Sequence, residues 1–381
     1  MPSSKLKNSM LVDIAGSKLT GAMPAIDGSA LTGVSGFMKN ASDPATDTNP
    51  SGGVGSGWVN TSDGEIFICT DATTDANVWY NVGGGDGDIQ PWTFQGTIAG
   101  YSAGGYNDPG VATYSNIIDK YSFSTDGNAT DVGNLTVVRG YASGQFSSTH
   151  GYTAGGHGNQ NHIDKFTFAV DADATDVGDL SVARGNTTGQ STETHGYVSG
   201  GYSPSRNTIE KYSFASDGNA SDIANLTQAR QDIAGNSSAT HGYVSGGNAS
   251  GSYVNTIDKF TFAVDADATD VGDLSGTRSS QAGQSSTTHG YSSAGYTPGP
   301  GYLNIIDKFS FSTDGNATDI ADVTVARNNP AGHSSSTHGY TAGGSGTTMN
   351  HIDKFTFASN ANATDVGDLT STRGTPASSQ I

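Results

Sequence analysis

Three features of the sequence predict an all-β fold, most of it a six-bladed β-propeller. The tetrapeptide Thr-His-Gly-Tyr recurs with its histidine at residues 150, 195, 241, 289 and 338, which is the spacing expected of four-stranded blades. A sixth copy without the histidine begins at Ile98. The 54 glycines and the 33% hydrophobic fraction suit many short strands joined by turns better than helices.

The composition divides the chain into three predicted domains. Residues 1–43 form an attachment or stalk segment with two Leu-Thr-Gly repeats, and residues 44–90 form a linker and a small β module. Residues 91–381 form the propeller, with repeats that start near residues 98, 149, 194, 240, 288 and 337. Short Leu-Thr-Gly repeats cannot bury a core alone, so we expect the stalk to intertwine with other copies. In the module, strands are predicted at residues 58–59, 65–70 and 77–82.

One repeat shows how a blade is expected to form. After Arg184, strands are predicted at residues 185–193, 197–201, 208–214 and 221–226. His195 and Gly196 are predicted to make the tight turn between the first two strands, with Gly196 at positive φ. The first repeat lacks its first strand. We expect the tail, residues 374–381, to supply it beside residues 100–106, with residues 92–97 as the competing donor.

The basic residues of the repeats occur once in each copy. They are the lysines Lys120, Lys165, Lys211, Lys259, Lys308 and Lys354 and the arginines Arg139, Arg184, Arg230, Arg278, Arg327 and Arg373. Arg206 alone lies outside this pattern. A charge placed once in every copy favours a structural role, so Asp–Lys or Arg–Asp pairs are expected to hold neighbouring blades together.

Charge and composition exclude several classes of function. The formal net charge of −19 argues against a nucleic-acid partner, whose phosphates need clustered lysine and arginine. No apolar run reaches the ~20 residues of a membrane span, and we expect neither membrane insertion nor a signal peptide. Cys69 is the single cysteine, so no intrachain disulfide is expected.

The connections between second and third strands differ most among the six copies. Propeller geometry places them on one face, opposite the His-Gly and Asp-rich turns where the stalk is expected to attach. The candidate receptor-binding residues on this face are Tyr106, Tyr114, Tyr202, Arg206, Tyr253, Tyr296 and Tyr302. Tyrosine rings and hydroxyls suit sugar faces and sugar hydroxyls. The alternative is that each is an ordinary loop tyrosine.

The Asp-rich turns suggest calcium as a second possibility. The candidate ligands are Asp171, Asp173, Asp176, Asp265, Asp267 and Asp270. Closely spaced hard oxygen ligands suit calcium, but the spacing and terminal glutamate of an EF-hand are missing. Asx-turns explain the same residues without a metal. We therefore expect no cofactor, with calcium as the candidate if one binds.

Two resemblances to known families carry a functional expectation. The double glycine, aromatic third strand and following arginine resemble the kelch repeat, although its usual outer-strand tryptophan is absent. Residues 18–34 and 57–79 are similar to tail-fibre proteins of tailed bacteriophages, particularly those of marine bacteria and cyanobacteria. This resemblance implies a trimeric virion fibre or spike, assembled in the host cytoplasm and joined to other tail proteins. Its implied role is host attachment through a surface glycan or protein.

Two alternatives to host attachment remain. The protein could be an architectural or decoration protein of the virion with no receptor. A glycan-active enzyme is the third hypothesis, and we expect no enzymatic activity. The repeats have no cysteine for a Cys-Tyr copper cofactor, and no Ser-His-Asp set or carboxylate pair departs from the repeated background.

Overall fold

The computed structural model describes residues 37–82, 93–107, 113–158, 160–202, 204–346 and 350–381. Every regular element in these ranges is a β-strand, which confirms the all-β prediction. The described residues include no helix that could span a membrane. The chain divides into two compact units, Met1–Pro91 and Trp92–Ile381. The predicted Leu-Thr-Gly stalk (residues 16–33) and the predicted hinge (residues 83–88) lie outside the described residues.

Residues 37–82, the described part of the first unit, form one four-stranded sheet. Its strands are β1 (Phe37–Asn40), β2 (Gly57–Asn60), β3 (Ile66–Asp71) and β4 (Val78–Asn81), in that spatial order. The three strands predicted for the β module are present. Strand β1, which pairs in parallel with β2, was not predicted, because Phe-Met-Lys-Asn has no period-two alternation.

The described residues of the second unit form six antiparallel sheets, each with four main strands in the spatial order first to fourth, and sheet 5 has a short additional strand. Sheet 1 consists of β31 (Ala377–Gln380), β5 (Ala99–Asn107), β6 (Thr113–Ser122) and β7 (Thr130–Asn134). Sheet 2 consists of β8 (Ser143–Phe146), β9 (His150–Ala154), β10 (His162–Thr167) and β11 (Thr175–Asp179). Sheet 3 consists of β12 (Thr188–Ser191), β13 (His195–Ser199), β14 (Thr208–Ser213) and β15 (Ser221–Asn225).

The remaining three sheets follow the same order. Sheet 4 consists of β16 (Ala234–Ser237), β17 (His241–Ser245), β20 (Thr256–Thr261) and β21 (Thr269–Asp273). Sheet 5 consists of β22 (Ala282–Ser285), β23 (His289–Ser293), β25 (Gly301–Ser310) and β26 (Thr318–Arg327). Sheet 6 consists of β27 (Ala331–Ser334), β28 (His338–Ala342), β29 (His351–Thr356) and β30 (Thr364–Asp368). The short strands β18 (Asn248–Ala249), β19 (Ser252–Tyr253) and β24 (Tyr296–Thr297) lie in the connections.

The C-terminal tail supplies the first strand of sheet 1, as predicted. Ala377 pairs with Ala103 and Gln380 with Gly100 in an antiparallel ladder between β31 and β5. The competing segment instead reaches sheet 6, where Gly96 forms a bridge with Ser335. Sheet 1 therefore joins the two ends of the second unit.

The predicted His-Gly turn is wrong. His195 and Gly196 are the first residues of β13, and the turn precedes them. A Cβ on Gly196 would lie 2.5 Å from Cζ of Tyr212, so glycine is required there by the close approach of a ring. The positive φ angles belong to the pair at the strand's other end, Gly200 at 61° and Gly201 at 113°.

Buried ion pairs join each sheet to the next. The arginine at or after the end of the fourth strand pairs with the acidic residue of the next sheet's third strand. Five of the pairs have N–O distances of 2.9–3.1 Å, and the sixth is Arg184 with Glu210. The five are Arg139–Asp164, Arg230–Asp258, Arg278–Asp307, Arg327–Asp353 and Arg373–Asp119. The last pair connects sheet 6 to sheet 1, and the predicted structural role of the arginines is confirmed.

Each carboxylate of these pairs also accepts two hydrogen bonds from the preceding sheet. Asp258 accepts them from the backbone N–H (3.0 Å) and the hydroxyl (2.7 Å) of Thr227, and Arg230 also donates to the carbonyl of Val244. Burial lowers the pKa of Arg230, and Asp258 opposes that shift. The buried charges are therefore paired and hydrogen-bonded, as buried charges must be.

A second, more exposed set of ion pairs lies at the outer turns. The pairs are Lys120–Asp171, Lys165–Asp217, Lys211–Asp265, Lys259–Asp314 and Lys354–Asp126. Asn360 stands at the repeat position where the other five sheets have these aspartates. Lys308, the matching lysine of sheet 5, lies over the ring of Tyr291 instead, 5.8 Å from its centroid.

The first strands line the middle of the second unit. They contact one another in the order β8, β12, β16, β22, β27 and β31, and β31 also contacts β8. A side chain of each first strand lies within hydrogen-bonding distance of the second-strand tyrosine carbonyl in the next sheet. The pairs are Gln145–Tyr197, Gln190–Tyr243, Asn236–Tyr291, Gln284–Tyr340, His333–Tyr101 and Ser379–Tyr152.

Aromatic stacking adds an apolar contact between the same neighbouring sheets. Each of these tyrosines packs against the phenylalanine that follows the third strand of the next sheet, with centroids 4.5–4.8 Å apart. The pairs are Tyr101–Phe168, Tyr152–Phe214, Tyr197–Phe262, Tyr243–Phe311, Tyr291–Phe357 and Tyr340–Phe123. The repeated tetrapeptide thus serves packing.

We expect Arg230→Met to lower the free energy of unfolding by about 3–5 kcal/mol, because it strands the buried Asp258 carboxylate. Adding Asp258→Asn should recover part of that loss. Urea denaturation measures both. The matched control is Lys165→Met, which breaks the more exposed pair with Asp217 and should cost less than ~1 kcal/mol. Equal losses for the two single variants would contradict the role assigned to the buried pairs.

His333 should make stability fall in mild acid. Burial lowers the pKa of His333 to about 4, while the unfolded value is 6.5. Between these two pH values the unfolded chain binds a proton at His333 that the folded protein does not bind. The free energy of unfolding therefore falls by about 3 kcal/mol between pH 6.5 and 4. His333→Gln, the residue at the same position in sheets 2, 3 and 5, should remove this part of the pH dependence in urea titrations. An unchanged pH slope would refute the assignment.

Candidate functional site

The variable connections of the six sheets lie beside the chain that follows each repeat arginine. Tyr106 forms an antiparallel bridge with Gly374, Tyr202 with Gly185, and Tyr296 with Ser279. The second-to-third connections and the fourth-to-first connections therefore share one end of the sheets. We call this end the loop end.

One group of aromatic rings at the loop end spans sheets 1 and 2. Tyr106 and Tyr114 face each other across a hairpin, with centroids 5.4 Å apart. Tyr114 stacks on His157 at 5.3 Å, and its hydroxyl lies 2.6 Å from Nδ1 of His157. Tyr141 lies 6.0 Å from the same histidine. Two predicted tyrosines thus meet, together with two aromatic residues that were not predicted.

A second group spans sheets 4 and 5. Tyr296 contacts Tyr253 at 5.9 Å and Tyr302 at 6.0 Å between ring centroids. Tyr302 is 47% exposed. Three predicted residues from two sheets therefore form one aromatic surface, built on the hairpins that contain β19, β24 and β25.

The other two predicted residues lie apart from these groups. Tyr202 is 52% exposed and, among the described residues, has no ring contact with the other predicted tyrosines. Arg206 is partly buried, and its backbone bonds to Gly201 and Arg230 hold the connection of sheet 3. The predicted surface is therefore two aromatic clusters with an isolated tyrosine and arginine.

The aspartates proposed as calcium ligands bind neighbouring parts of the protein. Asp171 and Asp265 pair with Lys120 and Lys211. Asp173 and Asp267 accept hydrogen bonds from both nitrogens of Asn134 and Asn225, respectively. Asp176 lies 3.0 Å from Nδ1 of His162, and Asp270 caps the N–H of Gly272 at 3.2 Å. These oxygens serve turns and contacts between sheets, and calcium stays an untested prediction.

A ring of six residues surrounds an opening in the middle of the loop end. Each is the second residue after a repeat arginine, and each has φ between 55° and 60° although none is glycine. They are Tyr141, Asn186, Asp232, Ser280, Asn329 and Thr375, which we call the rim. The left-handed region is unfavourable for most residues, above all for a β-branched one such as Thr375.

Backbone hydrogen bonds connect the rim residues to one another. The backbone N–H of Tyr141 donates to the carbonyl of Thr375, that of Asn186 to the carbonyl of Tyr141, and that of Asp232 to the carbonyl of Asn186, with N–O distances of 2.8–3.1 Å. In the same way the N–H groups of Ser280, Asn329 and Thr375 donate to the carbonyls of Asp232, Ser280 and Asn329, respectively, at 2.7 Å each. The six bonds return to the first residue. The backbone of the rim is thus satisfied internally, and its side chains are left to line the opening.

Below the rim the opening continues as a shaft between the first strands. The next residue of each sheet lines both the mouth and the shaft, and we call this layer the neck: Ala142, Thr187, Ile233, Gln281, Pro330 and Pro376. The mouth contains about 400 Å³ of empty space and the shaft about 610 Å³, open solvent included. Phe94 also lines the shaft, in contact with Phe146 beyond the neck.

Asp232 is the rim's acidic residue. Burial raises the pKa of its carboxyl, and hydrogen bonds from Asn186 and Gln231 oppose that shift. The carboxylate is therefore held in surroundings poorer in water than an ordinary surface aspartate, where a hydrogen bond from a ligand is strengthened.

The sequence-based analysis did not predict the rim, although a signal for it exists. The two residues after each repeat arginine read Gly-Tyr, Gly-Asn, Gln-Asp, Ser-Ser, Asn-Asn and Gly-Thr. They vary strongly between near-identical flanks, as the loop tyrosines do. Nothing in these dipeptides indicates that six left-handed residues meet at one opening.

Asp232→Asn should raise the free energy of unfolding at pH 7. A carboxyl group whose pKa is higher in the folded protein than in the unfolded chain makes the folded protein less stable as the pH rises above the unfolded pKa. An amide does not ionise and so causes no such loss. Asparagine also tolerates the left-handed conformation and can still accept from Asn186. Urea midpoints should favour the variant at pH 7, with the difference narrowing towards pH 4. A less stable variant at pH 7 would contradict the desolvated carboxylate.

Comparison with known proteins leaves function to be inferred from this geometry. No protein-family model matches the chain, and no curated protein matches its sequence at a significant level. The loop end, with its aromatic clusters and its rim, is therefore the candidate functional site on structural grounds.

Proposed function

We propose that the second unit is a six-bladed β-propeller in which each four-stranded sheet is one blade. Three observations support this: the serial contacts of the first strands, the contact of β31 with β8, and the Arg373–Asp119 pair between sheets 6 and 1. Because the tail completes sheet 1, the two ends of the second unit lie within one proposed blade. The blade is kelch-like in its paired glycines, aromatic third strand and following arginine.

We further propose that the protein is an adhesion protein of a virion, a tail fibre or spike that attaches to the host surface through the loop end. One observation carries this proposal: side chains that differ between the copies are gathered at the loop end, whereas the repeated charges are engaged between sheets. A surface on which six near-identical copies diverge is suited to recognition, because a purely structural role would keep the copies alike.

The proposed attachment extends to partners and assembly. The host partner is a surface glycan or protein, and other tail proteins hold the fibre on the particle. The stalk of Leu-Thr-Gly repeats is proposed to form a homotrimer, and trimerisation would multiply weak contacts at three loop ends into a useful avidity. We propose no enzymatic activity. The buried acids of the third strands, which could otherwise serve as acid–base groups, are bound by arginines.

The variant Tyr202→Ala/Tyr302→Ala should reduce binding of the full-length protein to host cells at least tenfold. These two tyrosines expose 52% and 47% of their surface at the loop end, so their removal takes away contact area without opening the core. Flow cytometry of labelled protein on panels of marine bacteria and cyanobacteria measures the effect.

The matched control is His150→Ala/His195→Ala, which alters two partly exposed residues next to the turns at the opposite end of sheets 2 and 3. It should bind as the wild type does. Folded wild-type protein that binds no cells would favour the architectural alternative. If only the histidine variant lost binding, the receptor surface would lie at the end of the sheets opposite the loop end, and the proposal would be wrong.

A further inference from the structure

We propose that the rim and neck form a binding site for the terminal unit of a neutral saccharide that carries a methyl group, as an N-acetyl or 6-deoxy sugar does. This inference rests on the proposed function, since it names what the loop end recognises. It assigns a ligand class to the opening itself, which shares Tyr141 with the first aromatic cluster.

The rim supplies the hydrogen-bonding half of the site. Its six side chains offer hydroxyl, amide and carboxylate groups within one opening. Because each backbone N–H of the rim donates to the carbonyl of a neighbouring rim residue, recognition falls to these side chains. Hydroxyl groups of a sugar ring can donate to the Asp232 carboxylate and accept from the amides of Asn186 and Asn329. A polyhydroxylated ring fits this mixed set better than a ligand of one polarity.

The neck supplies the apolar half. Ala142, Pro330 and Pro376 present apolar atoms directly below the polar rim, whereas the side chain of Ile233 packs into the core between sheets 3 and 4. Gln281 turns its amide to the carbonyl of Ser245, which leaves less polarity facing the opening. A methyl group that descends from the sugar into the neck would be removed from water, which favours its binding there.

The six rim residues carry side chains although their backbone conformation favours glycine. Glycine would adopt φ near 60° at no steric penalty, yet all six positions carry side chains, including Tyr141 and Thr375. Residues held in such regions cluster at ligand sites. The observed strain therefore supports a binding role for the rim side chains.

Charge and the shape of the shaft narrow the ligand further. Asp232 is the rim's charged side chain, and a second negative charge beside its desolvated carboxylate would be repelled. Acidic sugars are thus disfavoured. The shaft is also lined by Phe94 beyond the neck, with the main chain of that residue held by Gln380. An aromatic ring there obstructs the passage of a chain, so the site suits the end of a glycan.

Saturation-transfer difference NMR of the full-length protein tests the site with four probes. N-acetylglucosamine and L-fucose should show transfer strongest at their methyl protons. Glucose, which has no methyl group, and N-acetylneuraminate, which has one but is anionic, should show transfer at least fivefold weaker. Equal transfer to glucose and N-acetylglucosamine, or strongest transfer to the anionic sugar, would overturn the proposal.

Two variants locate the binding, and a third serves as control. Asp232→Asn, whose fold is expected to be at least as stable, should weaken the binding of N-acetylglucosamine and L-fucose at least tenfold. Ala142→Leu should fill the neck and so abolish saturation transfer to the methyl protons of both sugars. His195→Ala, at the end of sheet 3 opposite the loop end, should leave transfer unchanged. Unaltered transfer in both rim and neck variants would refute the site.

The cell-binding assay separates this inference from the proposed function. Cells that bind the protein without competition from either methyl-bearing sugar would overturn the inference and leave host attachment standing. Sugar transfer that depends on Asp232, together with an absence of cell binding, would support the site and overturn host attachment.

Discussion

A buried guanidinium from one sheet meets a buried carboxylate from the next at all six junctions of the second unit. Taking both charges out of water is costly, and that cost is offset only when the geometry brings the two groups together with further hydrogen bonds. Arginine suits this position better than lysine, because its planar fork bonds a carboxylate and a backbone carbonyl at once. The same geometry cannot form unless the neighbouring sheet is in place. Each sheet therefore depends on its neighbours, which explains how a chain with 33% hydrophobic residues can hold its sheets together.

This dependence also separates structural from functional positions. The tetrapeptide tyrosine, the third-strand acid and the repeat arginine all have partners in a neighbouring sheet, and substitution in any copy would damage a junction. Side chains at the loop end carry no such repeated constraint. They are free to differ, and the differences there produce two aromatic clusters and the polar rim. The outer lysines lie between these extremes, since sheet 5 does without the ion pair where sheet 6 has Asn360.

The rim combines both kinds of constraint. Its backbone is fully repetitive, with six equivalent hydrogen bonds and six nearly equal φ angles. Its side chains are different in almost every copy. A rigid, strained frame that presents variable groups at an opening is an arrangement that allows recognition to change without loss of the fold, because the frame uses only main-chain atoms. The desolvated carboxylate of Asp232 is a side-chain group that stability alone would not favour at this position.

The sequence by itself determined the all-β class, the six copies, the pairing of the tail with residues 100–106 and the structural role of the repeated arginines. These follow from periodicity, which is a local property repeated along the chain. Periodicity misplaced the His-Gly pair, because the need for Gly196 comes from the Tyr212 ring of the adjacent strand. It also indicated which loop tyrosines vary without showing that Tyr253, Tyr296 and Tyr302 meet while Tyr202 stands apart. Only the tertiary structure decided that Tyr141, Asp232 and Thr375, 91 and 143 residues apart along the chain, share one rim. Such proximity depends on how the sheets are arranged around the shaft. The residues of a single strand do not indicate that arrangement.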